Sequence, residues 1–83
     1  MLFHVYVLEL KNGNYYIGQT NNLERRLTEH QTGRSPYTRK NPMQKLKYTE
    51  TFESRSDAMQ REKFLKSGQG REWLKQKLSE QSA

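Results

Sequence analysis

Apolar and polar positions change their period several times along the chain. Phe3 to Leu10 (FHVYVLEL) is dense in β-branched and aromatic residues and predicts a strand. Lys11-Asn12-Gly13-Asn14 follows, with Asn and Gly both able to take positive φ, and predicts a hairpin returning along Tyr15 to Thr20 (YYIGQT). From about Leu23 to Gln31 the apolar spacing becomes helical, with Asn21 or Asn22 placed to cap the helix and Gly33 to end it. Arg34 to Pro42 (RSPYTRKNP) carries both prolines and reads as a loop. Gln44 to Phe52 then sets Leu46, Tyr48, Glu50 and Phe52 against Lys45, Lys47, Thr49 and Thr51, the alternation of a third strand. Ser54 or Ser56 opens a second helix over roughly Asp57 to Lys66. Ser67 to Gly70 (SGQG) breaks it, and Arg71 to Leu78 makes a short closing helix anchored by Trp73, Leu74 and Leu78. Hairpin, helix, strand, helix, helix is the order of a small α+β domain, a three-stranded sheet covered by helices. Residues 1–78 are expected to form one domain and residues 79–83 a frayed tail.

The helical stripes are not wholly apolar. Leu23, Arg26, Leu27 and His30 share one stripe at i, i+3, i+4, i+7, and Ala58, Glu62 and Leu65 share another. An unpaired charge facing a core costs several kcal/mol, so these groups need a reason. One reading is a polar site shared by the two helices. The other is a structural Arg26–Glu62 ion pair with its stems snorkelling outward. The hairpin bears on the choice through its parity. His4, Tyr6, Leu8 and Leu10 alternate with Phe3, Val5 and Val7, and a loop with an odd number of residues places Tyr16 and Gly18 on the Tyr6 face. Val5, Val7 and Ile17 then form an apolar face for helices.

Composition narrows the function. The 83 residues include no cysteine, which excludes disulfides and thiolate metal sites. No run approaches the ~20 apolar residues of a membrane span, and nothing resembles a signal peptide, so a cytoplasmic protein is expected. The formal charge is +6. No acid falls between Glu29 and Glu50, a window holding Arg34, Arg39, Lys40, Lys45 and Lys47. Such a strip suits a polyanion, most commonly nucleic acid.

With those positions in view, HVY (His4 to Tyr6) and YIG (Tyr16 to Gly18) resemble the two halves of the GIY-YIG nuclease signature. QTNNLERRLTEH looks like that superfamily's first helix, with Arg26 and His30 at its active-site positions. FESRSDAMQREKFLK is similar to the helix carrying its metal-binding glutamate, which falls on Glu62. The resemblance covers residues 3 to 70 and is nearest to the small single-domain members of the UPF0213 kind. There are departures. The first half-motif keeps its tyrosine but has no glycine, and no asparagine follows Asn41, whereas many of the nucleases place one downstream of the glutamate. Larger members also attach a separate DNA-binding or interaction domain.

The resemblance implies an α+β domain on a three-stranded antiparallel sheet, and metal-dependent endonucleolytic hydrolysis of a DNA phosphodiester. It makes Tyr6, Tyr16, Arg26, His30 and Glu62 the catalytic candidates. Glu62 would hold one Mg²⁺ (or Mn²⁺), Arg26 would brace the phosphate, and Tyr6 would lead as general base, helped by Tyr16 or His30. From intrinsic pKa alone His30 is the better base. Gly18 lets a backbone approach, Gln19 is a substrate contact, and Arg34, Arg39 and Lys40 would track the phosphate backbone. No element looks like a major-groove reader, so recognition of DNA shape is expected. A protein partner or a homodimer could supply further DNA contacts. The alternative is a catalytically silent nucleic-acid-binding module of the same fold.

Overall fold

The computed structural model describes residues 1–82. The elements are β1 (Phe3–Leu10), β2 (Tyr15–Thr20), α1 (Leu23–Gln31), α2 (Pro36–Lys40), β3 (Met43–Phe52), α3 (Arg55–Lys66) and α4 (Gly68–Ser82). The sheet has the order β2-β1-β3, with β1 central and antiparallel to both neighbours.

The hairpin is decided at Lys11–Gly13. Leu10 N–H bonds the Asn14 carbonyl at 2.8 Å, and Gly13 N–H closes the turn on the Leu10 carbonyl at 2.9 Å. Gly13 takes φ +89°, which a side chain would resist, and the Asn12 side chain accepts from Asn14 N–H. Three residues therefore separate Leu10 from Asn14. The odd count pairs Tyr6 with Gly18 and Leu8 with Tyr16, the parity that the tyrosine argument requires.

Both faces of the sheet are covered. Val5, Val7 and Ile17 pack with Ala58 and Leu65 of α3 and Leu74 and Leu78 of α4. Tyr6, Leu8 and Leu10, pointing the other way, pack with Tyr16, Met43 and with Leu23 and Leu27 of α1. Asn22 caps α1 by accepting from Arg25 N–H at 3.1 Å, and Ser54 caps α3 by accepting from Asp57 N–H at 3.1 Å. Among the described residues no helix is long and apolar enough to cross a membrane.

Four expectations need correcting. The loop over residues 34–42 contains α2, because Pro36 sits at a helix start where its fixed φ fits, and Arg39 N–H reaches the Ser35 carbonyl at 2.9 Å. SGQG is not only a break. Ser67 accepts from Gly70 N–H at 3.1 Å and starts α4 three residues earlier than expected, at Gly68. That helix also continues through the expected tail to Ser82, with Leu78 buried, while Ala83 lies outside the described residues. Finally, β3 does not alternate cleanly. Register shifts between Val7/Leu8 and Glu9/Leu10 pair Tyr48 with Val7 but Leu46 with Leu8, so these two do not share a face.

Candidate active site

Tyr6 is placed by the strand opposite it. Gly18 is its register partner, and a Cβ there would stand 2.5 Å from the Tyr6 hydroxyl and 2.7 Å from its Cζ. The phenol thus lies across bare backbone, aimed at the outer edge of the sheet. Tyr16, two residues before Gly18 on β2, has its ring centroid 6.2 Å from that of Tyr6. While Leu23 and Leu27 seat α1 on the sheet, the next positions of the same stripe deliver Arg26 and His30. The His30 ring meets both tyrosines edge-on, at 5.7 and 4.9 Å between centroids.

A directed hydrogen-bond chain results. Arg26 can only donate, and its Nε–H bonds the Tyr6 oxygen at 3.3 Å. In the Nδ1–H tautomer of His30 the Tyr6 proton is then directed at Nε2, 3.0 Å away. Burial, with Arg26 adding, pulls the imidazole down to about 4, so His30 is neutral at pH 7 and able to accept. Burial likewise pushes the Tyr6 phenol up to about 12, with Tyr16 and Glu62 adding to the rise and Arg26 opposing it. A terminal nitrogen of Arg26 donates to Glu29 at 3.0 Å. Glu29 is held below the usual carboxylate range by Arg26 above all, with Arg25 and Arg34 adding. The sequence reading misses Glu29, although its i, i+3 spacing from Arg26 on one helix is a readable signal.

Glu62 arrives from the other side. It belongs to α3, packed on the Val5 face, whereas Arg26 belongs to α1 on the Tyr6 face. The two helices do not form a common seam, and the Arg26–Glu62 ion pair is not made. Arg26 pairs with Glu29, and Glu62 pairs with Lys66 at 3.1 Å one turn on. Glu62 is still near enough for its charge to bear on the Tyr6 phenol. Tyr6, Tyr16, Arg26 and His30 thus gather on the α1 face, while Glu62, on the α3 face, bears on them through its charge alone.

Among the described residues, no group of three or more His, Cys, Asp or Glu side chains is arranged to hold a metal ion. Glu62 has the donor chemistry, a half-buried carboxylate already facing one cation, the Lys66 ammonium, and Glu29 is a second such carboxylate, held by Arg26. One carboxylate fits Mg²⁺ or Mn²⁺, which keep most of their waters and take further oxygens from substrate.

The other expected contacts scatter. Gln19 pairs with Val5 and so belongs to the α3 face, and its Oε1 is enclosed without a hydrogen-bond partner. Arg34, Arg39 and Lys40 are exposed on the α1–α2 corner, and Arg39 Nε–H is tied to the Gly33 carbonyl at 3.0 Å.

Comparison with known proteins agrees with this fold. Residues 2–77 match the model of the GIY-YIG catalytic domain. A UPF0213 protein of Halobacterium salinarum is 44% identical over 66 residues, covering 78% of this chain and 86% of its own. Another, from Natronomonas pharaonis, is 46% identical over 65 residues, covering 77% and 76%. The solution structure of a UPF0213 protein from Bacillus halodurans is 37% identical and superimposes with a TM-score of 0.56, covering 89% of this chain and 82% of that one. Sequence, sheet topology and the grouping of phenols, arginine and histidine all lead to one assignment: this chain belongs to the GIY-YIG family of nuclease domains.

Proposed function

We propose that this protein is a cytoplasmic endonuclease that hydrolyses DNA phosphodiester bonds with one Mg²⁺ or Mn²⁺, selecting DNA by structure rather than by sequence. The observation that carries the reading is the Arg26–Tyr6–His30 chain, with the Glu62 carboxylate near enough to act on the same phenol. Arg26 is oriented by Glu29 and Tyr6 yet its side chain is still 31% exposed, so a phosphate can reach it. Tyr6 accepts a proton from the attacking water only as it passes its own to His30, because a phenol held near 12 is not ionised at neutral pH. An anionic phosphate on Arg26 stabilises the imidazolium that this relay creates. A divalent ion at Glu62 would supply charge compensation for the phosphoryl oxygens and the leaving oxygen.

The test is a cleavage panel of supercoiled, branched and single-stranded DNA beside structured RNA, with and without Mg²⁺ or Mn²⁺. Metal-dependent strand breaks are expected, abolished in Glu62→Gln while binding persists. Cleavage unchanged in that variant sinks the assignment. The raised Tyr6 phenol favours a second reading, a silent binding module, which binds DNA in a salt-dependent way and breaks no strand under any metal.

A further inference from the structure

A second concavity lies against the candidate site, on the α3–α4 side of the β2 edge. It has a volume of about 300 Å³ and is lined by Tyr15, Tyr16, Ile17, Lys66 and Arg71. We propose that this groove is a subsite for the nucleotide flanking the scissile phosphodiester, its phosphate held by Lys66 and Arg71 and its sugar or base resting on Tyr15. The proposal rests on the nuclease reading above and extends it to a strand path.

Three features converge. The groove shares Tyr16 with the phenol cluster, and Lys66 links it to Glu62 through the 3.1 Å ion pair, so it is contiguous with the reacting centre. Among the described residues its lining carries two cations and no acid. Arg71 is oriented, because its Nε–H is committed to the Lys66 carbonyl at 3.2 Å, and Lys66 is 52% exposed. Its remaining wall is aromatic and apolar, which suits a sugar or base but not a free inorganic anion. Lys66 has two roles here. Without a metal it neutralises Glu62, and any cation bound at Glu62 competes with that ammonium and releases it to the phosphate beside it. A strand crossing Arg26 then leaves past Arg34, Arg39 and Lys40 in one direction and through this groove in the other.

The experiment measures binding of a fluorescent single-stranded DNA octamer by anisotropy, in EDTA, across a salt series. The double variant Lys66→Gln/Arg71→Gln is compared with a charge-matched control, Lys63→Gln/Lys75→Gln, whose residues are exposed and outside the groove. All four positions are surface side chains, and thermal melts check that both variants remain folded. The groove variant should bind about tenfold more weakly, with its salt slope shallower by ~0.7 for each phosphate it no longer neutralises, while the control changes little. Arg71→Lys should recover part of the affinity. Equal weakening in the two double variants, no weakening, or no binding by the wild type would overturn the subsite. Wild-type binding that is weakened only by the groove variant, with no strand cleaved under any metal, leaves the subsite standing and removes the nuclease reading. Cleavage that needs Glu62 but ignores Lys66 and Arg71 does the reverse.

Discussion

Replacing Gly18 by alanine tests the packing on which the site is built. The added methyl would stand 2.5 Å from the Tyr6 hydroxyl oxygen, 2.7 Å from its Cζ and 3.2 Å from Cε1 of Tyr16. Unstrained contacts of this kind lie near 3.5–4.0 Å, so the phenol must retreat by about 1 Å. Tyr6 is only 1% exposed, and the retreat carries its hydroxyl off the 3.0 Å bond to His30. Overpacking of this kind costs ~1–3 kcal/mol and the broken hydrogen bond roughly another 1. Alanine in a strand recovers about 0.5–1 through backbone entropy. The net expectation is a destabilisation of about 1–4 kcal/mol, read by urea unfolding, together with a sharp fall in any phosphodiesterase activity. Gly68→Ala is the control. Its Cβ meets nothing within 4 Å in the first turn of α4, so the same substitution should be neutral or stabilising. A Gly18→Ala protein as stable as the wild type would refute the claim that bare backbone at this position seats the phenol.

Other outcomes follow from the same geometry. His30 takes its proton near 4 when folded and near 6.5 when unfolded. Between those values the unfolded state binds more protons, so stability should fall as pH drops from 6.5 toward 4, by roughly 3 kcal/mol at most. Urea titrations at successive pH values should show that decline, and His30→Gln should flatten it above about pH 4.5; an unchanged slope in the variant rules the histidine out as its source. Glu50 accepts from Tyr48 at 2.6 Å and from Arg61 at 2.7 and 3.0 Å, with Arg61 stacked over Trp73. Glu50→Gln leaves that half-buried guanidinium without its counter-charge and should cost about 1–3 kcal/mol by urea unfolding. Arg26→Lys keeps the charge but replaces the two nitrogens that reach Tyr6 and Glu29 separately with a single ammonium nitrogen. Turnover should fall about 10–100-fold at nearly unchanged stability, and wild-type turnover in this variant would deny Arg26 its geometric role.

Local chemistry was legible because its causes are local. The capping asparagine and serine, the Asn-Gly turn and the period of each segment depend on neighbours in the chain, and they marked β1, β2, α1 and α3 with only small errors at the ends. The Arg26 and His30 anomaly was also visible in the spacing, since an apolar stripe with two ionisable members is a pattern of sequence alone. The α2 turn was hidden by its two flanking prolines, which read as loop signals although one of them starts the helix.

What alternation along a single strand cannot show is where its partner inserts a bulge, so the separation of Leu46 from Tyr48 waited on the pairing of β3 with β1. Nor can a stripe reveal which side of a sheet it will cover. Arg26 and Glu62 looked like partners, yet α1 and α3 settle on opposite faces, and each charge finds its ion pair on its own helix. The chain alone determined which side chains are out of place in a core. Only the three-dimensional packing decided that Arg26 and His30 meet the two tyrosines while Glu62 lies on the opposite face, because that outcome depends on strand parity and helix placement, which distant parts of the chain set together.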